Sequence, residues 1–415
     1  MNAPEAGGFI ARQRAMRPSQ EEWRPMDDPR DMRLSLFKGG PLYKALLRAR
    51  LMDLEHADVW RAAVLAIAVT WVPLALLSLV QGLLAGDAVQ VPFLLAIKAH
   101  VRFLIALPLL ILAEPIVDER WSLASNHFVR SNMVSEDEIP RFRDIVARAR
   151  RMRDSRLAEL LLFLTSLAGI MVGPALDLPA SITSWQYGTV GGLTAAGWWN
   201  VLVGLTLFHF LLLRWLWRLL VWTLFLWRVS RLRLHLYPVH ADYAGGIGFL
   251  GMEQSSLKIL VFAQSCVLSA SFAQRMIYYE GVQHAALFAV AVLYIVLCLF
   301  VVFGPLLTFS RALFAVKYDQ VHAYSLMVSE YSRHFAGKWI DGQAYEKAAI
   351  LGTGDIQTLA ALDTTLEIIR KMHPFPFTLR QVLGLVIVAL GPMLPLVLIE
   401  IPIEELLGML FKALF

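Results

Sequence analysis

The chain has 415 residues, 57% of them apolar and 17% charged, with a mean hydropathy of +0.57. A soluble protein of this length has a far more polar composition, so a soluble core is excluded and an integral membrane protein is implied. The net charge of +5 and pI near 9.2 fit basic loops held at a cytoplasmic face and call for no nucleic-acid partner.

Residues 1–35 mix Pro, Arg, Asp and Glu without apolar periodicity and read as a disordered cytosolic tail that lacks a secretory signal. From Leu42 to Trp60, apolar residues at helical spacing alternate with Lys44, Arg48 and Arg50, which predicts an amphipathic helix facing anionic lipid headgroups. These make residues 1–61 an N-terminal cytosolic unit. The first span, Ala62 to Leu84, carries no charge, and its Pro73 is tolerable among neighbouring helices. After a Gly86-Asp87 turn, Val91 to Val117 is apolar but interrupted by Lys98, His100 and Arg102, so it is either one span or an interfacial piece and a short span.

A cytoplasmic connection, 118–159, follows. Within it Ser135 and Glu138 form a capping-box pattern ahead of an amphipathic helix running to Met152, whose other face is rich in arginine. Leu160 to Leu176 is the third span and Trp198 to Trp227 the fourth. Thirty helical residues extend about 45 Å against roughly 30 Å of hydrocarbon, which predicts that the fourth helix leaves the membrane near Trp215 to Arg218. A second cytoplasmic loop, 228–256, leads to a polar fifth span, Leu257 to Ile277, and an apolar sixth, Ala285 to Phe309.

Residues 310–380 form a cytoplasmic helical segment in which Gly354-Asp355 precedes a helix through Met372, ended by Pro374 and Pro376. The last unit, 381–415, holds a seventh span, Val382 to Ile399, and an outer interfacial helix from Ile401. The expected fold is therefore an all-α integral membrane protein with about seven transmembrane helices, six of them within 62–309, and a cytoplasmic helical layer. Most of the 38 Lys and Arg fall in its cytoplasmic segments when the N-terminus is inside and the C-terminus outside.

Charge within the apolar segments is the main functional signal. Lys98 and Arg102 form an i, i+4 pair, and Arg214 and Arg218 a second one. Such residues are costly in hydrocarbon and usually face a bundle interior or a water-filled cavity, so the two rows are candidates to line one cleft for an anion or a lipid headgroup. The competing expectation is snorkelling to the headgroup layers, or pairing of an arginine with Glu114. Gln264, Ser271 and Arg275 share a face of the fifth span, while Ser265, Ser269 and Ala273 form a row suited to close helix packing.

A turn in the second loop contains His240, Asp242, Gly245, Gly246 and Gly248. Its glycines match a dinucleotide-binding spacing, but no strand precedes them, and the expected role is a capped re-entry turn. His240 and Asp242 alone do not complete a metal site. Cys266 and Cys298 lie in apolar segments and are expected to pack rather than to pair. No cofactor, metal or catalytic residue is predicted.

The stretches His240-Ala-Asp-Tyr-Ala-Gly-Gly-Ile-Gly-Phe-Leu-Gly251, Leu351-Gly-Thr-Gly-Asp-Ile-Gln-Thr-Leu-Ala360 and Phe375-Pro-Phe377 resemble those of uncharacterised bacterial multi-pass membrane proteins. The resemblance covers roughly Arg228 to the end. It implies a bacterial inner-membrane location and no particular activity.

The sequence points first to a transporter or channel-like protein for an anionic or amphiphilic species. A scaffold or sensor whose cytoplasmic helices bind partners ranks second, and a lipid-modifying enzyme using His240 and Asp242 third. The expected partners are the lipid bilayer with its anionic headgroups and, as a homo-oligomer, a second copy of the chain.

Overall fold

The computed structural model describes residues 32–40, 43, 59–169, 182–188, 192–278, 284–340 and 354–396. Among them there are helices and isolated bridges but no strand. Six helical stretches are long and apolar enough to cross a membrane, so the chain is an all-α membrane protein. The elements are α1 (Val59–Val80), α2 (Ile97–Arg130), α3 (Ile139–Arg153), α4 (Arg156–Ala168), α5 (Ala195–Val229) and α6 (Phe249–Tyr278). They continue with α7 (His284–Phe303), α8 (Ser310–Trp339), α9 (Asp355–Lys371) and α10 (Leu379–Leu396).

The bundle has two unlike ends. At one, the 81–96 loop meets residues 182–188: Val91 N–H donates to Thr183 O at 3.2 Å and Trp185 N–H to Val91 O at 3.0 Å. At the other lie α3 with its arginines, the 230–248 loop and the α8–α9 pair, and this is called the basic end below. Lys338 Nζ (2.6 Å) and Trp339 Nε1 (3.1 Å) donate to the carboxylate of Asp355, which closes the α8–α9 pair.

Several expectations are corrected. Of the two readings of Val91 to Val117, the single span holds with other bounds: after a 3₁₀ turn at Phe93–Leu95, α2 begins at Ile97 and runs without a break to Arg130. Residues 118–130 are thus helix rather than loop, because Asp118, Trp121, Ser125 and Phe128 are buried against the rest of the bundle. Ser135 does not cap α3. Its hydroxyl bonds His235 Nε2 at 2.6 Å, a 3₁₀ turn covers Glu136–Glu138, and the helix begins at Ile139. The working capping box is at α10, where Thr378 and Gln381 bond each other's backbone.

Residues 32–35 are also not a loose tail. With Leu36 and Phe37 they form a strap that bends at Leu36–Lys38 around the Asp118 carboxylate, with Met32, Leu34, Leu36 and Phe37 buried in the main core. The surface helix expected from Leu42, the later part of the third span and the segment from Ile401 lie outside the described residues.

Both long inner helices widen into π-helical turns, Val101–Ala106 in α2 and Asn200–Leu205 in α5. The two turns pack on each other: a Cβ on Gly204 would stand 2.7 Å from Phe103 Cζ, so only glycine fits there. At the basic end the core is aromatic. Trp121 and Trp222 stack at 4.8 Å with planes 2° apart, and Trp222 Nε1 donates to Gln254 Oε1 at 3.0 Å. The small-residue row of the fifth span packs as expected, since Ser265 and Ser269 donate to Ala389 O and Pro392 O of α10.

Candidate functional site

The two basic rows do not share a cleft. Lys98 and Arg102, near the start of α2, line a cavity of about 30 Å³ with Ser184, Tyr187 and Gln274. Arg214 and Arg218 line a different one, of about 20 Å³, with Arg153, Glu159 and residues of the strap. Each has room for a water molecule or two.

At the second site Arg214 Nη1 donates to Glu114 Oε1 at 2.9 Å, and Arg218 Nη1 forms an ion pair with the same oxygen at 3.1 Å. All three groups are buried. The helix rise puts Arg214 about 29 Å and Arg218 about 35 Å along α5 from Ala195, close to where hydrocarbon roughly 30 Å thick would end. Asp118, one turn beyond Glu114 on α2, turns its carboxylate to the strap. It accepts from Leu36 N at 2.7 Å, Phe37 N at 3.0 Å and Ser35 Oγ at 2.7 Å. The Phe37 ring then covers the arginines, with its centroid 3.7 Å from Arg218 Cζ and 4.7 Å from the Trp215 ring. The cluster is a closed, neutralised knot at the boundary of the membrane region.

The expected turn is present, and Asp242 is its centre. Its carboxylate accepts from Ala244 N (2.8 Å), Gly246 N (3.1 Å) and Gly248 N (2.8 Å), and His240 Nδ1 lies 2.7 Å away. Burial opposes ionisation of Asp242, but the N–H groups of Ala244, Gly248 and Gly246 and the His240 ring outweigh it and hold the carboxyl below its ordinary value. Gly245 (φ 65°) and Gly246 (φ 90°) occupy the left-handed region. Gly248 instead needs to be small, because a Cβ there would meet Asp242 Oδ2 at 2.9 Å. With its oxygens so engaged, Asp242 holds the loop, and the pair offers no open ligand position.

His100 is likewise spoken for: it accepts from Trp71 Nε1 at 2.9 Å and donates to Phe93 O at 2.9 Å. Among the described residues no group of three metal-ligating side chains occurs. Cys266 and Cys298 are free thiols.

A further feature is one that charge alone does not reveal. Helices α5, α6 and α7 leave between them a cleft of about 430 Å³, walled by residues such as Trp215, Leu219, Leu260 and Val301. It runs along α6 from Leu257 to Ser271, about 21 Å of helix. Gln264 and Ser271 are in its wall, whereas Arg275 is exposed beyond it. Ser271 Oγ is engaged with Val267 O, and Tyr294 Oη with Val261 O at 2.6 Å. Gln264 makes no hydrogen bond to any described residue, so an uncommitted amide faces an apolar cleft near the middle of α6.

Sequence reasoning missed Asp118, Phe37 and Tyr294 as members of these sites. Glu114 and Asp118 were open to detection as an i, i+4 carboxylate pair within an apolar run. Phe37 carries no such signal.

Compared with protein-family models, curated proteins and solved structures, the chain matches none.

Proposed function

We propose that the protein takes up an amphiphilic molecule sideways from the bilayer into the α5–α6–α7 cleft and moves it within the membrane. The observation that carries this reading is Gln264. An unpaired amide is costly against lipid tails, and a cleft of this size is in the range that holds a small-molecule ligand. The amide offers both a donor and an acceptor to a hydroxyl, ester or amide group on an otherwise apolar molecule. Arg214 and Arg218 are then structural, since Glu114 contacts both and Asp118 supplies the second negative charge beside them.

The reading includes seven crossings in a bacterial inner membrane, with the basic end in the cytoplasm. Its support is connectivity. α4 starts at the basic end, and the next described segment, 182–188, is bonded to the opposite loop, which supports a crossing additional to the six. An odd number places the C-terminus outside, and the arginines of α3 fit an inner surface.

The test is reconstitution in vesicles containing a fluorescent fatty acid or phospholipid analogue, with transfer between leaflets as the readout. Wild type should accelerate transfer and Gln264→Leu should lose most of that acceleration. Equal rates with wild type and with empty vesicles would reject transport. A scaffold role would then lead, and one observation favours it: α8 leaves Phe314, Tyr318 and Leu326 exposed, an apolar surface that no other described helix covers, on the basic side of the bundle.

A further inference from the structure

The strap is held in the way an extended peptide ligand is held. Its side chains alternate, with Met32, Leu34 and Leu36 buried and Arg33 and Ser35 half-buried. Its backbone, however, pairs with no strand. Apart from Phe37 O, which accepts from Gly39 N at 3.0 Å, its backbone contacts among the described residues come from side chains of the groove. From α2, Asn126 Oδ1 accepts from Met32 N at 3.0 Å, Ser125 Oγ from Leu34 N at 2.7 Å, and Asp118 from Leu36 N and Phe37 N. From α3, Arg150 Nη2 and Arg153 Nη1 donate to Arg33 O and Ser35 O, each at 2.7 Å.

Asp118 (4% exposed), Ser125 (0%) and Asn126 (3%) are thus buried polar groups arranged to read main-chain N–H groups. Main-chain recognition of this kind gives affinity without regard to which chain supplies the segment, while pockets for alternate side chains give selectivity. The Ser35 hydroxyl bonding Asp118 Oδ2 at 2.7 Å adds a second selective contact. Phe37, closing over Trp215 and Arg218, adds a third.

We propose that the groove between α2, α3 and α5 is a docking site for an extended peptide, and that residues 32–37 are its occupant in cis, exchangeable with the same segment supplied in trans. The preferred peptide carries apolar residues at alternate positions, a hydroxyl in place of Ser35 and an aromatic ring in place of Phe37. The proposal does not depend on what the α5–α6–α7 cleft holds. Vacating the groove would uncover Arg218 and one face of Trp215, whose indole also lines that cleft, so the occupant sits where it can affect the cleft wall.

The test uses the full chain in detergent and a fluorescent peptide of residues 28–40, followed by anisotropy. Leu34→Glu in the protein weakens the cis strap and leaves the groove unchanged. The labelled peptide should bind this variant at least about tenfold more tightly than wild type. Adding Asp118→Ala should remove that binding, and a peptide carrying Leu36→Pro, which lacks the N–H that Asp118 accepts, should bind at least about tenfold more weakly. Absence of binding to a folded, monodisperse Leu34→Glu protein would overturn the proposal, as would binding indifferent to Asp118 and to the proline. If Leu34→Glu does not fold, amide exchange in the wild type decides. Leu34, Leu36 and Phe37 amides exchanging at least about tenfold faster than those of Val117 and Trp121 support an exchangeable strap, and exchange in one common step with them overturns it.

Discussion

Glu114 and Arg214 meet across α2 and α5 through a 2.9 Å hydrogen bond, and the same carboxylate oxygen lies 3.1 Å from Arg218. One acid therefore contacts two buried arginines, and Asp118, one turn on along α2, supplies the second negative charge. Glu114→Gln should lower stability by roughly 3–5 kcal/mol, because it leaves two buried cations facing an amide. Arg214→Gln should cost less, since Glu114 retains Arg218. Thermal unfolding in detergent checks the order, and equal effects of the two substitutions would show that the arginines are met by other groups.

Phe37→Ala should destabilise the fold by roughly 3–5 kcal/mol, the usual cost of emptying a buried phenylalanine site. Phe37→Leu should recover part of that loss by filling volume but not the contact with the Arg218 guanidinium. Chemical denaturation of the three proteins provides the comparison, and a Phe37→Ala protein as stable as wild type would mean that the strap adds nothing to the core.

Asp242 makes the loop sensitive to acid. A carboxyl held below its ordinary value stabilises the fold fully above the ordinary range, and that contribution is lost as the pH falls through the depressed value. The Ala244, Gly246 and Gly248 amides should be protected at neutral pH, stay protected down through about pH 4, the ordinary range for aspartate, and become exchangeable only at lower pH, where the depressed carboxyl is protonated. Asp242→Asn should lower neutral stability by roughly 1–3 kcal/mol and flatten this pH dependence. An unchanged acid response in Asp242→Asn would assign the transition to another group.

Within the same turn, Gly246→Val should cost roughly 1–3 kcal/mol, since a β-branched residue resists a φ of 90°. His240→Ala should cost less, because the imidazole is half-exposed and the backbone N–H groups on Asp242 remain. Expression level and melting temperature report both. A null cellular phenotype from His240→Ala at normal abundance, with Gly246→Val harmless, would instead make the turn a reactive site.

The helices were legible because hydrocarbon demands long apolar runs with internally bonded backbone. α1, α5, α6 and α10 accordingly lie close to where composition places them. The turn at Asp242 was legible for a related reason, since clustered glycines mark backbone angles that other residues avoid. What escaped was anything fixed by tertiary partners. Asp118 reads as the start of a polar loop until its acceptors are seen to hold Leu36 and Phe37, and the alternation of Met32, Leu34 and Leu36 is too short to stand out from the tail before it, because a strap borrows its hydrogen bonds from distant helices. The pairing of Arg214 with Glu114 was open as an alternative, but spacing within single helices cannot align two of them. Gln264 was visible as a polar residue in the fifth span, whereas the cleft it faces exists only once α5 and α7 stand apart.

Native mass spectrometry of the protein extracted from membranes, with identification of retained molecules, tests the amphiphile reading most directly. Wild type should keep an apolar molecule bearing a hydrogen-bonding group through a detergent wash that strips bulk lipid. Gln264→Leu should keep at least about tenfold less of it, at a melting temperature within a few degrees of wild type, because replacing a partly buried unpaired amide by an apolar side chain removes a ligand contact and no internal bond. Equal retention by wild type and Gln264→Leu, or no retained molecule in either, would contradict a ligand held in the α5–α6–α7 cleft.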